Sequence, residues 1–188
     1  MKKNYTNEIM KKLKETEEII NKRHSNDRKR ELIALFDALV TNNFLFVPAM
    51  KAANLLGELK WFFDLVTHKG PWDIKNDESW KKTIGIYPIP IYGVKGKENE
   101  TFIFLEKTVT REGLGNITYG YLGKAMNFPD ILLYVGGGVA AHGQSFPEMV
   151  SNSLKDCKEV LKPPYYGDTK EDHECIEFGI KLYKTTHK

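Results

Sequence analysis

The chain has 188 residues, 41% of them apolar and 12% aromatic, enough for one well-filled domain and too few for two sizeable ones. Its 28 basic and 25 acidic residues leave a net charge of +3 and a pI near 8.7, without the basic imbalance of a dedicated nucleic-acid binder. No stretch reaches the roughly 18 apolar residues of a membrane span. No apolar core follows Met1-Lys2-Lys3 as it would in a signal peptide, so export requires a specialised machine or a fused carrier. Cys157 and Cys175 have neither metal spacing nor a disulfide framework, which points to a reduced compartment.

Residues 1–28 are rich in Lys, Glu and Asn, with Ile9, Leu13, Thr16 and Ile20 at helical spacing and Glu8 four before Lys12. This predicts a charged N-terminal helix resting loosely on the domain. Its seam is too short for a coiled-coil arm. Residues 29–188 then form a single domain. Ser25-Asn26-Asp27 caps a second helix through Leu32, Leu35, Phe36, Leu39 and Val40. Pro48 opens a third, through Leu55, Leu59, Phe62, Phe63 and Val66. These helices make an apolar platform.

His68-Lys69-Gly70-Pro71 ends the platform, and Trp72-Asp73-Ile74-Lys75 follows. In an extended segment Asp73 and Lys75 share one face and Trp72 takes the other; a surface ion pair is the plainer account. From residue 83 to 109 the pattern becomes β-like, with Ile84, Ile86, Ile89, Ile91 and Val94 and then Thr101 to Leu105, separated by Gly96-Lys97-Glu98-Asn99. Pro88 and Pro90 confine the first run to an edge. One hairpin beside many helices predicts an α+β fold, predominantly α-helical.

Gly113-Leu114-Gly115-Asn116 leads into Tyr119-Gly120 and Gly123, and Pro129-Asp130 opens a helix that carries Gly136-Gly137-Gly138. Glycines this dense mean close backbone approach, by another helix or by a ligand. Asn116 is placed to cap a helix starting at Ile117. The run before Gly136-x-Gly138 has the shape of a dinucleotide fingerprint, with Asp156 at the distance of the ribose-binding acid. No parallel strand follows it, so close helix packing is the better account. Near the C-terminus, Tyr166-Gly167-Asp168 caps a helix from Asp172 to Tyr183 whose Ile176 and Ile180 face the core. Asp168 and Asp172 are four apart, on one helical face. With His173 they offer metal-type ligands, but in no recognised metal spacing.

Together, Lys69-Gly70-Pro71-Trp72-Asp73-Ile74-Lys75, Asn116-x-x-Tyr119-Gly120-x-x-Gly123, Gly167-Asp168-x-x-x-Asp172 and Ile176-x-x-Gly179-Ile180-x-x-Tyr183 resemble the bacterial polymorphic toxin type 44 domain, from about Trp61 to the C-terminus. The chain departs from that pattern at Gly113-Leu114, where an acidic-aromatic pair is usual, and at Tyr121-Leu122, where small residues are usual. The resemblance implies an antibacterial effector domain, secreted by a specialised system or carried in a larger toxin, neutralised by a cognate immunity protein and acting as a nuclease on RNA. It implies Asp73, Lys75, Asn116, Tyr119, Asp168 and Asp172 as catalytic residues. Lys69, Trp72, Gly120, Gly123 and His173 are expected to meet substrate, with no metal or cofactor.

For RNA, Lys69, Lys75 and Asn116 hold the phosphate and His142 or His173 exchanges protons. The same residues also fit a hydrolase of cell-wall glycan that uses Asp73 with Asp168 or Asp172 as a carboxylate pair, Asn116 and Tyr119 gripping sugar hydroxyls. A non-catalytic binding module is the third alternative. A cleft lined by carboxylates favours sugar, and one dominated by Lys69, Lys75 and Lys124 favours RNA.

Overall fold

The computed structural model describes residues 2–24, 49–67, 70–85, 101–141 and 162–188. Among these are six helices: α1 (Thr6–Arg23), α2 (Ala49–Val66), α3 (Asp77–Ile84), α4 (Arg111–Ala125), α5 (Asp130–Ala141) and α6 (Lys170–Thr186). One antiparallel hairpin joins β1 (Phe102–Phe104) to β2 (Lys107–Val109), with Phe102 opposite Val109. The fold is α+β and predominantly helical, as the sequence predicts. The helix expected over residues 29–40, the first half of the expected hairpin, Lys69, His142 and Cys157 lie outside the described residues.

The N-terminal helix is not loosely docked. Ile9, Leu13 and Ile20 of α1 are fully buried in the same core as Phe62, Trp80, Phe102, Phe104, Tyr121 and Ile176. Just before α1, Ile103 N–H donates to Lys3 O at 2.8 Å and Tyr5 N–H to Ile103 O at 3.0 Å, so the chain start runs along β1. At the other end of α1, the buried Glu17 accepts from Tyr121 Oη at 2.9 Å and pairs with His187 Nε2 at 2.6 Å. One carboxylate thus ties α1 to α4 and to the end of α6.

One local expectation is corrected, and the observed hairpin is a different one from that expected across residues 96–99, which lie outside the described residues. The strand expected from Ile84 begins instead as the end of α3, which Asn76 caps by accepting Glu78 N–H at 2.9 Å and Gly85 closes at φ 78°. The hairpin turns at Leu105 and Glu106, with φ of 48° and 64°, and Thr6 Oγ1 accepts Leu105 N–H at 2.8 Å to hold that turn against α1. Left-handed backbone costs non-glycine residues about 1–2 kcal/mol each, and this hydrogen bond offsets part of it.

Helices α4 and α6 lie backbone to backbone. A methyl group at Gly120 would overlap the Ile176 carbonyl, and one at Gly179 would overlap the Ile117 carbonyl. Two glycines facing opposite ways across one crossing let the axes approach closer than side chains permit. This contact fixes the α6 N-terminus beside the middle of α4.

Candidate functional site

Helix α4 begins at Arg111, earlier than expected, because Thr110 caps it and accepts Gly113 N–H at 3.0 Å. Asn116 is therefore not a cap. It sits inside the helix, where its amide Nδ2 donates to Asp172 Oδ1 at 2.6 Å. Asp172 stands in the first turn of α6, and its other oxygen, Oδ2, accepts from Thr169 Oγ1 at 2.9 Å. Thr169, not Asp168, caps α6, accepting Asp172 N–H at 3.1 Å. Both oxygens of Asp172 are thus held, at a helix end that favours negative charge.

Asp168 precedes the cap. Its Oδ1 accepts Thr169 N–H at 2.9 Å, and its other oxygen faces α5, where a methyl group at Gly137 would stand 3.0 Å away. A methyl at Gly138 would overlap the Tyr166 carbonyl. The triple glycine thus forms the wall on which the Tyr166-Gly167-Asp168 turn lies. Burial of the half-buried Asp168 carboxyl raises its pKa to about 6; the Thr169 N–H opposes this, Asp172 and Glu112 add to it, and Lys75 works against it. The site therefore contains one carboxyl poised to exchange a proton near neutrality beside a second that is fixed by hydrogen bonds.

Tyr119, one turn after Asn116, donates its hydroxyl to Leu133 O at 3.1 Å and fills the hollow at Gly136. Burial pushes its phenol well above the ordinary value, and the Asp168 charge adds to the effect, so the hydroxyl stays protonated. Lys75 bridges to Glu112 Oε1 at 2.5 Å across the rim, both side chains about half exposed. The segment carrying Lys75 is not extended. Asp73 N–H donates to Gly70 O at 3.0 Å and Asn76 N–H to Asp73 O at 2.9 Å, so residues 70–76 form successive turns. Asp73 lies in those turns, half-buried, two residues before Lys75.

Asn116, Tyr119, Asp168 and Asp172 converge, with Lys75 at their edge. Trp72, Gly120 and Gly123, expected to meet substrate, are instead taken up by packing. Trp72 is buried, its Nε1 donating to Thr16 Oγ1 at 3.1 Å; Gly120 meets the α6 backbone and Gly123 meets Leu133. Lys124, counted among the cations of an RNA cleft, is bound to Asp130 Oδ1 at 2.9 Å and donates to Phe128 O at 2.7 Å. His173 turns away from Asp172 into a group of tyrosines: its ring centroid lies 4.5 Å from that of Tyr134, 5.6 Å from Tyr165 and 6.2 Å from Tyr166.

Sequence reasoning missed Glu112 and Thr169. Both leave a signal. Thr169-x-x-Asp172 is a capping-box spacing with aspartate in the acidic position, and Glu112 lies four before Asn116, on the same face once α4 is known to start at Arg111. Among the described residues no group of three His, Cys, Asp or Glu side chains is placed to hold a metal ion, and no helix is long and apolar enough to cross a membrane.

A model of the family described as bacterial toxin 44 matches residues 60–185, about two thirds of the chain. That span includes α4, α5 and all but the last residue of α6, with every converging side chain. Among the curated proteins and the solved structures the chain has no match. The chain belongs to the bacterial toxin 44 family.

Proposed function

We propose that this toxin domain is a hydrolase of the bacterial cell-wall glycan, with Asp168 as the proton donor and Asp172, hydrogen-bonded to Asn116 and Thr169, as its partner. One observation carries the reading: a half-buried carboxyl whose pKa is about 6 stands beside a carboxylate held at both oxygens by Asn116 and Thr169. Two carboxyl groups whose surroundings push their roles apart are what glycosidic cleavage uses. Protonated Asp168 gives its proton to the leaving sugar oxygen. Asp172 supports the positive charge that develops on the ring, or takes a proton from the attacking water. Tyr119 remains a neutral hydrogen-bonding group at the base of the site, and Asn116 is a positioning residue acting through Asp172.

Charge supports sugar over phosphate. Lys75 and Glu112 offset each other, as do Lys124 and Asp130, which leaves the Asp168 and Asp172 carboxyl groups to disfavour a polyanion. Acting on the wall, such a domain has to reach the periplasm of a target cell, through a secretion machine or as part of a larger toxin. The producer then needs an immunity protein that occupies or covers this site.

Expression in a bacterium tests the reading, once with retention in the cytoplasm and once with export to the periplasm, alongside Asp168→Asn and Asp172→Asn. Lysis from the periplasm only, abolished by either substitution, is the expected outcome. Cytoplasmic toxicity with degraded RNA would replace it with the nuclease reading. Harmlessness in both compartments would leave the binding module.

A further inference from the structure

Beside the carboxylate site, four half-buried rings gather from three separate segments: Tyr134 from α5, Tyr165 and Tyr166 from the turn before α6, and His173 from α6 itself. Tyr134 and Tyr166 are nearly parallel, at 13° with centroids 5.8 Å apart, and His173 is inclined by 36° to Tyr134 and 23° to Tyr166. Tyr134 and Tyr166 rest against the hydrophobic core, yet each keeps part of its surface exposed. None of the four is fully buried. His173 Nδ1 is shut off from solvent with no hydrogen-bond partner among the described residues.

The position of the rings relative to the carboxylates is fixed by the chain. His173 follows Asp172 directly, and successive side chains on a helix diverge by about 100°, so the two point to neighbouring sides of the same turn. Tyr165 O accepts Asp168 N–H at 3.0 Å, so the turn that delivers Asp168 also carries the tyrosines. Burial also lowers the His173 pKa, against the raising charges of Glu177 and Glu174, which keeps the ring neutral at pH 7. The group is uncharged and flat-faced, and its three tyrosines carry hydroxyls. Aromatic rings with a polar handle pack against ligands that are apolar on one face and wet at the edge.

Building on the carboxylate reading, we infer that Tyr134, Tyr166 and His173 form a subsite that seats a sugar ring of the glycan strand adjacent to the bond cut at Asp168 and Asp172. A pyranose presents C–H groups on its face and hydroxyls at its edge, matching the platform. The tilted rings hold the sugar by its face.

The test uses the full chain, with N-acetylglucosamine tetramer as the binding probe on the Asp168→Asn variant and purified peptidoglycan as the substrate of otherwise wild-type protein. Tyr134→Ala and His173→Ala are expected to weaken tetramer binding and raise KM about tenfold each, with kcat changed less than about twofold, the size of one lost stacking contact. Tyr134→Phe, which keeps the ring, is expected to restore most of the affinity and guards against a folding defect. Unchanged Kd and KM in both alanine variants, with peptidoglycan still cleaved by the wild type, would overturn the subsite and leave the carboxylate reading standing. Failure of the wild type to cleave peptidoglycan, with polyuridylate bound in preference to the tetramer, would overturn both.

Discussion

Gly137→Ala separates the position of Asp168 from the stability of the fold. The added methyl group would stand 2.5 Å from Ile176 Cδ1 and 3.0 Å from Asp168 Oδ2, the ends of two side chains that can give way. Alanine gains about 1 kcal/mol of helix propensity over glycine, and overpacking costs about 1–3 kcal/mol. The net loss is about 0–2 kcal/mol, a fall in Tm of up to about 8 °C for a chain of this size. Ile176 Cδ1 has to swing aside, and the Asp168 carboxyl shifts by a few tenths of an ångström; since about 1 Å at a reacting group costs about a hundredfold in rate, a loss of about threefold or more is expected. Gly138→Ala is the steric control, because its methyl would overlap the Tyr166 backbone, which cannot swing aside. It should lose more than about 3 kcal/mol, at the far end of single-substitution effects. Thermal unfolding followed by circular dichroism, with release of soluble sugar from peptidoglycan per folded molecule, measures both. A Gly137→Ala protein with wild-type activity would refute the placement of Asp168 against α5 or its part in the chemistry.

Four further outcomes are expected. The folded pKa of Asp168 lies above its unfolded value of 3.8, at about 6, so this side chain contributes stability below about pH 4 that is lost as pH rises through about 6. A fully buried group shifted so far would weigh about 3 kcal/mol; half-exposed and screened by solvent, its replacement in Asp168→Asn should stabilise the protein by about 1 kcal/mol at pH 7.5, read as a higher urea midpoint, while activity disappears. With Asp168 as the proton donor, kcat/KM falls as pH rises through about 6, which a pH–rate profile on peptidoglycan measures. Removing residues 1–24 strips Ile9, Leu13 and Ile20 from the core; at about 1.5–3 kcal/mol per side chain the loss rivals the whole stability of a domain, and the truncated chain should show no cooperative unfolding transition. Trp72→Ala should lose about 3–5 kcal/mol in chemical denaturation by leaving a cavity, with activity per folded molecule retained.

Periodicity made the helices legible where one face is apolar: α1, the second half of α2, and α5 from its Pro129-Asp130 start. It failed at α3, because Asp77 to Ile84 is short and its Ile84 was read into the following run of isoleucines. The observed hairpin, Phe102–Phe104 with Lys107–Val109, is not the one expected across residues 96–99, whose loop lies outside the described residues. Leu105-Glu106 carries none of the Asn-Gly chemistry that marks a tight turn, and its left-handed backbone is held by Thr6, about a hundred positions away. At the site, the glycines announced close approach without saying by what. Gly120 and Gly179 meet backbone, whereas Gly137 and Gly138 meet the turn carrying Asp168. The pairing of Asn116 with Asp172 spans 56 positions, and no local pattern encodes it. The order of motif blocks that resembles the toxin family put both residues on the same short list of site candidates.

The claim that Asp168 and Asp172 cut glycan rests most directly on one digestion. Purified peptidoglycan and purified ribosomal RNA are each incubated with the wild-type chain and with its Asp168→Asn and Asp172→Asn variants at pH 5.5. New reducing ends from peptidoglycan with the wild type alone, and intact RNA throughout, are the predicted result; fragmented RNA beside untouched peptidoglycan would contradict it.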